Sequence, residues 1–297
     1  MEHTKTKFLM GTDITITLFW EENPNEDIEH VFEIFRDLEK EFSRFTSDSR
    51  LSILNKERSW EVSETFIDII KKCKEIFTDT DGYFNPLINV SNLWYSQDFH
   101  SKKFEKKVSE VNVELKKIEI SWNKIFLQEN QNLDLWGIVK WYGVDKARIY
   151  LDKQWHKNYI IDAGGDMYTA WLSETWEKIV VGIDSPFTQD NIFATLEVGN
   201  IAIATSGNYK RKWTIDNQVY NHIINPMNAS NNNEIISITL ITETCYLGDA
   251  YATACIAMGK EKTVEFLKKH HIDGIIICTD QTVYITEWMK KYNLQIL

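Results

Sequence analysis

The chain has 297 residues, 43% hydrophobic and 26% charged, enough for one large core or two fused lobes, and it carries no Gly/Ser, Pro or Gln run of the kind that stays disordered. Its 33 Lys and Arg against 44 Asp and Glu give a net charge of −11, which excludes nucleic acid as the expected partner and means that any anionic substrate must be met locally by a metal ion, a helix N-terminus or a few placed cations. Four cysteines, Cys73, Cys245, Cys255 and Cys278, form no Cys-x-x-Cys pair, so neither a zinc site nor a redox dithiol is indicated and buried thiols are expected.

Met1 to Lys7 is polar, with no charged-then-apolar leader and no long apolar span, so a cytoplasmic protein without a membrane span is expected, an extracytoplasmic one whose leader has been removed being the alternative. From Phe8 to Trp20, Ile14, Ile16 and Leu18 alternate with Thr15, Thr17 and Phe19, which predicts a strand interrupted near its start by Gly11. Ile28, Val31, Phe32, Phe35, Leu38 and Phe42 recur at helical spacing and predict an amphipathic helix over Asp27–Phe42. A second helix is predicted over Glu64–Phe77, with Ser63 as its N-cap.

Asp81-Gly82 and Asn85-Pro86 mark a loop between Asp79 and Gln97 that carries the aromatics Tyr83, Phe84, Trp94 and Tyr95. Short strands are expected at Lys117–Ile120 and Ile125–Leu127, a helix over Lys140–Leu151, and a strand at Tyr159–Ala163 ending in Gly164-Gly165-Asp166. The C-terminal half reads as strands at Lys178–Ile183, Ala194–Val198, Ile201–Thr205, Trp213–Ile215, Tyr220–Ile224 and Ile235–Ile241. Helices at Leu247–Gly259 and Lys262–Lys269, strands at Gly274–Cys278 and Thr282–Ile285 and a short closing helix complete it. This order is not a regular strand–helix alternation, and it predicts an α+β fold with a largely antiparallel or mixed sheet and packed helices.

Two residues stand out chemically. Asp249 and Thr253 are four apart on a predicted helix, which puts a carboxylate and a hydroxyl on one face, both hard oxygen donors of the kind magnesium accepts. Spacing alone leaves open the plainer alternative, in which Asp249 is an exposed acid at a helix start and Thr253 bonds its own helix. His222 has the chemistry of a proton acceptor at neutral pH. It reads equally as a strand histidine held by hydrogen bonds.

Seven segments, in order, resemble the ApbE family of FAD:protein FMN transferases. Met10-Gly11-Thr12 is similar to the family's Met-Gly-Thr, and Phe42-Ser43-Arg44-Phe45 with Ser52 and Asn55 to its Ser-x-aromatic stretch. Gly82-Tyr83-Phe84-Asn85-Pro86 resembles a Gly-x-Phe-Asp segment that lines the flavin site. Leu133-Asp134-Leu135-Trp136-Gly137-Ile138-Val139-Lys140-Trp141-Tyr142-Gly143-Val144-Asp145 resembles the family's Leu-Asp-x-Gly-Gly-Ile-Ala-Lys-Gly-Tyr run. Asp162-Ala163-Gly164-Gly165-Asp166 follows, then Thr205-Ser206-Gly207-Asn208-Tyr209 with His222-Ile223-Ile224-Asn225-Pro226, and finally Asp249-Ala250-Tyr251-Ala252-Thr253-Ala254, which resembles Asp-Ala-x-Ala-Thr-Ala in full.

The resemblance implies one ApbE-like domain over residues 1–297 that moves FMN from FAD, its substrate, to a Thr or Ser hydroxyl of an acceptor flavoprotein subunit carrying a flavinylation motif, with release of AMP. It implies Mg2+ held by the side chains of Asp249 and Thr253 and the main-chain carbonyl of Gly137. Flavin contacts are implied at Met10, Phe45, Tyr83, Phe84, Asn85, Asp134, Lys140, Ser206, Gly207 and Ile223. His222 corresponds to the residue that takes the proton from the acceptor hydroxyl, and Lys140 adds positive charge beside the phosphates.

The chain departs from the pattern at Trp136 and Trp141, where the family has small glycines; an indole there either occupies part of the FAD site, points away, or stacks on a ring of the substrate. Asn85 replaces an acid and Phe45 a tyrosine, and Gly248 precedes Asp249 where alanine is common. An FAD pyrophosphatase giving FMN and AMP, and a non-catalytic flavin-binding paralogue, are therefore kept as alternatives. No acceptor motif occurs in the chain, so self-modification is not expected.

Overall fold

The computed structural model describes residues 1–88, 114–170, 177–188, 191–209, 212–215 and 218–297; the predicted aromatics Trp94 and Tyr95 lie outside them. The chain opens with β1 (Glu2–Leu9), β2 (Thr12–Phe19), α1 (Asn25–Phe42), α2 (Arg50–Glu57), β3 (Ser59–Glu61) and α3 (Glu64–Asp79). Then come β4 (Glu119–Ser121), β5 (Lys124–Phe126), α4 (Trp136–Lys153), β6 (Tyr159–Ala163), β7 (Asp166–Thr169), β8 (Ile179–Asp184), β9 (Ile192–Val198), β10 (Ile201–Gly207), β11 (Lys212–Ile215) and β12 (Gln218–Asn221). It closes with β13 (Ile235–Thr242), α5 (Cys245–Met258), α6 (Lys260–His270), β14 (Asp273–Cys278), β15 (Val283–Ile285), a 3-10 segment Glu287–Tyr292 and β16 (Gln295–Ile296).

Eight strands form the main sheet in the order β1-β2-β6-β7-β10-β13-β14-β15, each pair antiparallel. Alternation along its strands serves two cores at once. On β10 and β14, Ala202, Ile276 and Cys278 face the helices, while Ile203, Ile275 and Ile277 face the small sheet β16-β9-β8 together with Val181, Leu196 and Val198. The fold is thus α+β, helices on one face of the large sheet and three strands on the other.

The predicted single strand Phe8–Trp20 is a hairpin, because Met10 and Gly11 both take positive φ and turn the chain between β1 and β2. The polar segment Met1–Lys7 is most of β1; as an edge strand it has an exposed face, which explains a composition without an apolar signature. β6 ends at Ala163 as predicted, and a second hairpin follows at Gly164-Gly165, whose φ values of 74° and 99° suit glycine, so the chain re-enters the sheet at Asp166 as β7. Helix α2 was not expected: only Leu51 and Leu54 are buried along it, too few for a periodic signal, and its start is fixed by Ser49, whose side chain accepts from Ser52 N. α3 begins as predicted at Ser63, which accepts from Phe66 N at 3.0 Å. Among the described residues no helix is long and apolar enough to cross a membrane, and all four cysteines are buried.

Candidate active site

Helix α5 packs against β10, β13 and α4, so most of its surface is buried and its sequence shows small residues in place of a polar stripe. Its N-terminus is fixed from α4: both oxygens of the Asp145 carboxylate accept backbone bonds, from Cys245 N and Tyr246 N, each at 3.0 Å. Gly248 permits the close approach to the sheet, since a Cβ there would stand 2.7 Å from Thr242 Oγ1 and 3.0 Å from Ala204 Cβ. This seats Asp249 and Thr253 beside the end of β10, where Ser206 Oγ lies 3.1 Å from Thr253 Oγ1.

Asp249 is buried, which rules out the exposed helix-start reading. Its neighbours come from the second hairpin. Asp166, buried at the start of β7, accepts from Thr205 N at 2.6 Å, and Asp162, at the other side of the turn, accepts from Gly165 N at 2.8 Å. Burial raises the pKa of all three carboxyls, Asp249 adds its charge to the burden on Asp166, and Lys140 opposes the shift at each of them. Lys140 therefore serves an acidic trio drawn from β6, β7 and α5.

Trp141 is 5% exposed, and its indole lies beside the Asp249 carboxylate and favours the ionised form. The same ring lies 3.7 Å from Lys140 Nζ. Among the described residues no three His, Cys, Asp or Glu side chains gather as a metal site of that kind would need. A cation here would instead rest on a carboxylate, a hydroxyl and a main-chain carbonyl, an all-oxygen set of the type magnesium uses with few protein ligands. The residues fit such an ion: two buried carboxyls, Asp166 and Asp249, repel each other at this point, and a divalent charge removes that penalty.

One turn earlier on α4 the site becomes aromatic. Trp136 begins the helix, its N–H bonded to Asp134 Oδ1 at 3.0 Å, so the helix starts four residues before the predicted Lys140. Gly137 follows, exposed, with nothing within 4 Å of where a Cβ would stand. The Trp136 ring lies against Gly11, 3.5 Å from an added Cβ, and meets Phe45 edge-on with centroids 6.2 Å apart. Phe45 is 68% exposed, an aromatic left open to solvent at the mouth of the site. Arg44 lies 5.0 Å from that ring and pairs with Asp134, while Met10 is buried and its N–H bonds Glu39 Oε1 at 3.0 Å. The segment is pinned by Asn55, which donates to Leu133 O at 2.9 Å and accepts from Leu133 N at 2.8 Å.

A third wall comes from the turn after α3. Phe84 N bonds Thr80 Oγ1, Asn85 is buried with its Oδ1 accepting from Leu87 N, and Pro86 O accepts from Asp134 N at 2.8 Å, joining this turn to the start of α4. Tyr83 receives a hydrogen bond from Lys262 Nζ at 2.6 Å. An added Cβ at Gly82 would meet Met227 Cε at 3.0 Å, which brings the turn after β12 beside this loop. His222 and Ile223 are on that segment: β12 ends at Asn221, so His222 lies just beyond a strand and not within the predicted Tyr220–Ile224. Ser206 and Gly207 are the last residues of β10 and pair with Ile238 and Ser237, so the strand runs two residues past the predicted end at Thr205.

Asp249, Thr253, Ser206 and Lys140 thus gather in one polar cluster; Phe45, Met10, Asp134 and Gly137 surround the head of α4; Tyr83, Phe84 and Asn85 share one turn. Sequence reasoning gave no role to Asp162, Asp166, Arg44 or Lys262. The two aspartates were signalled by the Gly-Gly pair between them, which forces a hairpin and returns both acids to the same edge. Arg44 and Lys262 carried no signal, because their partners Asp134 and Tyr83 are distant in the chain.

The profile of the ApbE family matches residues 10–276. A protein of Vibrio cholerae serotype O1 named FAD:protein FMN transferase is 25% identical over 262 residues, covering 82% of this chain and 77% of its own length. The same name is carried by a protein of Haemophilus influenzae, 23% identical over 97% of this chain and 86% of its own. The solved ApbE protein of Thermotoga maritima superposes with a TM-score of 0.85 at 23% identity, over 98% of this chain and 99% of its own, and so shares the fold. With the profile spanning nearly all of the chain, on top of the site geometry, the chain belongs to the ApbE family.

Proposed function

We propose that this chain is a magnesium-dependent FAD:protein FMN transferase. The observation that carries the reading is the cluster of Asp249, Thr253, Ser206 and Lys140 beside the aromatic corner of Phe45 and Trp136: oxygen ligands and a cation sit next to an open apolar wall. Asp249, Thr253 and the Gly137 carbonyl would hold magnesium, which when bound neutralises charge on the pyrophosphate of FAD. Lys140 adds a positive charge on the same side, and Phe45, Trp136 and Tyr83 offer surfaces for ring stacking. His222 accepts the proton as the acceptor Thr or Ser oxygen bonds to the FMN phosphorus; the bond from that phosphorus to the AMP oxygen breaks, and AMP leaves. The names of the relatives support the same substrate pair.

The test is incubation of the purified protein with FAD and Mg2+, with and without an acceptor domain, following AMP and covalent FMN by mass spectrometry. AMP together with an FMN-labelled Thr or Ser is expected. AMP with free FMN in both arms would assign a pyrophosphatase, and tight FAD binding without either product a flavin-binding protein.

A further inference from the structure

The segment after β12 is held by an asparagine ladder that no part of the polar cluster explains. Asn231 reaches back across it: its Nδ2 donates to Asn221 O at 3.0 Å and to Ile223 O at 2.6 Å, with Asn221 Oδ1 at 3.2 Å, and its Oδ1 accepts from Asn221 N at 3.1 Å. The amide orientation is fixed by chemistry, because main-chain carbonyls only accept and a backbone N–H only donates. One side chain therefore clamps the main chain on both sides of His222, at residues 221 and 223. Asn221 completes the ladder, its Oδ1 accepting from Ile223 N at 2.9 Å and its Nδ2 donating to Asn233 Oδ1 at 3.2 Å. The bridge Asn225–Ser230 closes the intervening turn, whose Met227 packs beside Gly82.

A loop residue held this way behaves as if it stood on a strand: the hydrogen-bond needs of its flanking peptides are met within the protein, and the rotation that would swing its side chain away is lost. We infer that Asn231 is a positioning residue for His222, setting the imidazole for proton transfer without touching substrate. This rests on the proposed role of His222 as the base. Because a displacement of about 1 Å at a reacting group costs on the order of 100-fold in rate, the clamp has a kinetic signature distinct from that of a stabilising contact.

The experiment compares Asn231→Ala, the near-isosteric Asn231→Asp, His222→Ala and the double variant His222→Ala/Asn231→Ala in the full chain, with FMN transfer, FAD affinity and thermal midpoint measured on each. Asn231→Asp keeps the acceptor and replaces the donor with an oxygen facing three others, so it disrupts the clamp without a cavity. The expected result is a kcat reduced by about 10- to 100-fold in both Asn231 variants with KM for FAD changed less than about two-fold, and a double variant no slower than His222→Ala. Full-speed transfer by both Asn231 variants alongside an inactive His222→Ala would overturn the inference and leave the base reading standing. A double variant slower than His222→Ala by the full Asn231 factor would overturn it too, since Asn231 would then act independently. Wild-type rates in His222→Ala would refute the base reading and the inference with it.

Discussion

Trp141 stands where the family has glycine, next to the lysine of the site, and its indole does not occupy the open side of the α4 start. The ring is buried beneath Lys140 and beside the Asp249 carboxylate, whose ionised form it favours, so it works as a second layer behind a metal-ligand candidate. Trp141→Phe keeps a ring for the Lys140 ammonium and removes the polar N–H of the indole. A Mg2+ dissociation constant about 10-fold weaker is expected, measured by calorimetry in the presence of FAD, with the fold unchanged by circular dichroism. An unchanged constant would mean that the indole only fills space. The presence of a large aromatic at 141 was legible in the sequence, as was the chemistry of Asp249 and Thr253. The direction of the indole was not, because it depends on where α5 crosses α4.

At the scale of elements, the site depends on the register of α4 against α5, and Asp145 sets it with two backbone bonds to the first residues of α5. Burial raises its carboxyl from an ordinary 3.8 to about 6, even though those two N–H groups, Arg148 and Lys72 favour the ionised form. Folding therefore favours protonation. The stabilisation from this group is fully present below about pH 4 and is lost as pH rises through about 6. Asp145→Asn is uncharged throughout, so its stability relative to wild type is expected to rise by up to about 3 kcal/mol across that window. Urea melts of both proteins at pH 4.5 and 7 measure the difference; equal differences at the two pH values would show that Asp145 is not the titrating group. Helices α1 and α3 were legible because each has one wet face and a stripe of large apolar residues. The starts of α4 and α5 were less so: α4 opens on a Trp-Gly pair whose first backbone N–H is taken by the Asp134 side chain from before the cap position, and α5 is apolar nearly all round.

For the molecule as a whole, the large sheet is the plate on which everything is mounted, and the small sheet β16-β9-β8 backs it on the face away from the helices. Leu196 is fully buried between the two. Leu196→Ala is expected to cost about 2–5 kcal/mol of stability while leaving FAD affinity unchanged under native conditions, since the cavity opens on the opposite face from Asp249. Equilibrium unfolding paired with an FAD titration tests both halves, and a loss of affinity at full occupancy of the native state would show that the two faces are coupled. The sequence by itself determined the residue types at the site, the strand alternation and the order of the family segments, because these are local: they need only spacing, turn residues and hydrophobic period. Only the tertiary structure decided that Asp166 joins Asp249 and Lys140, that Arg44 closes on Asp134, and that Asn231 grips the chain around His222. The first two pairings are long-range and depend on where antiparallel strands and packed helices bring distant segments together; the third spans a turn of 8 to 10 residues whose path the hydrophobic period does not encode.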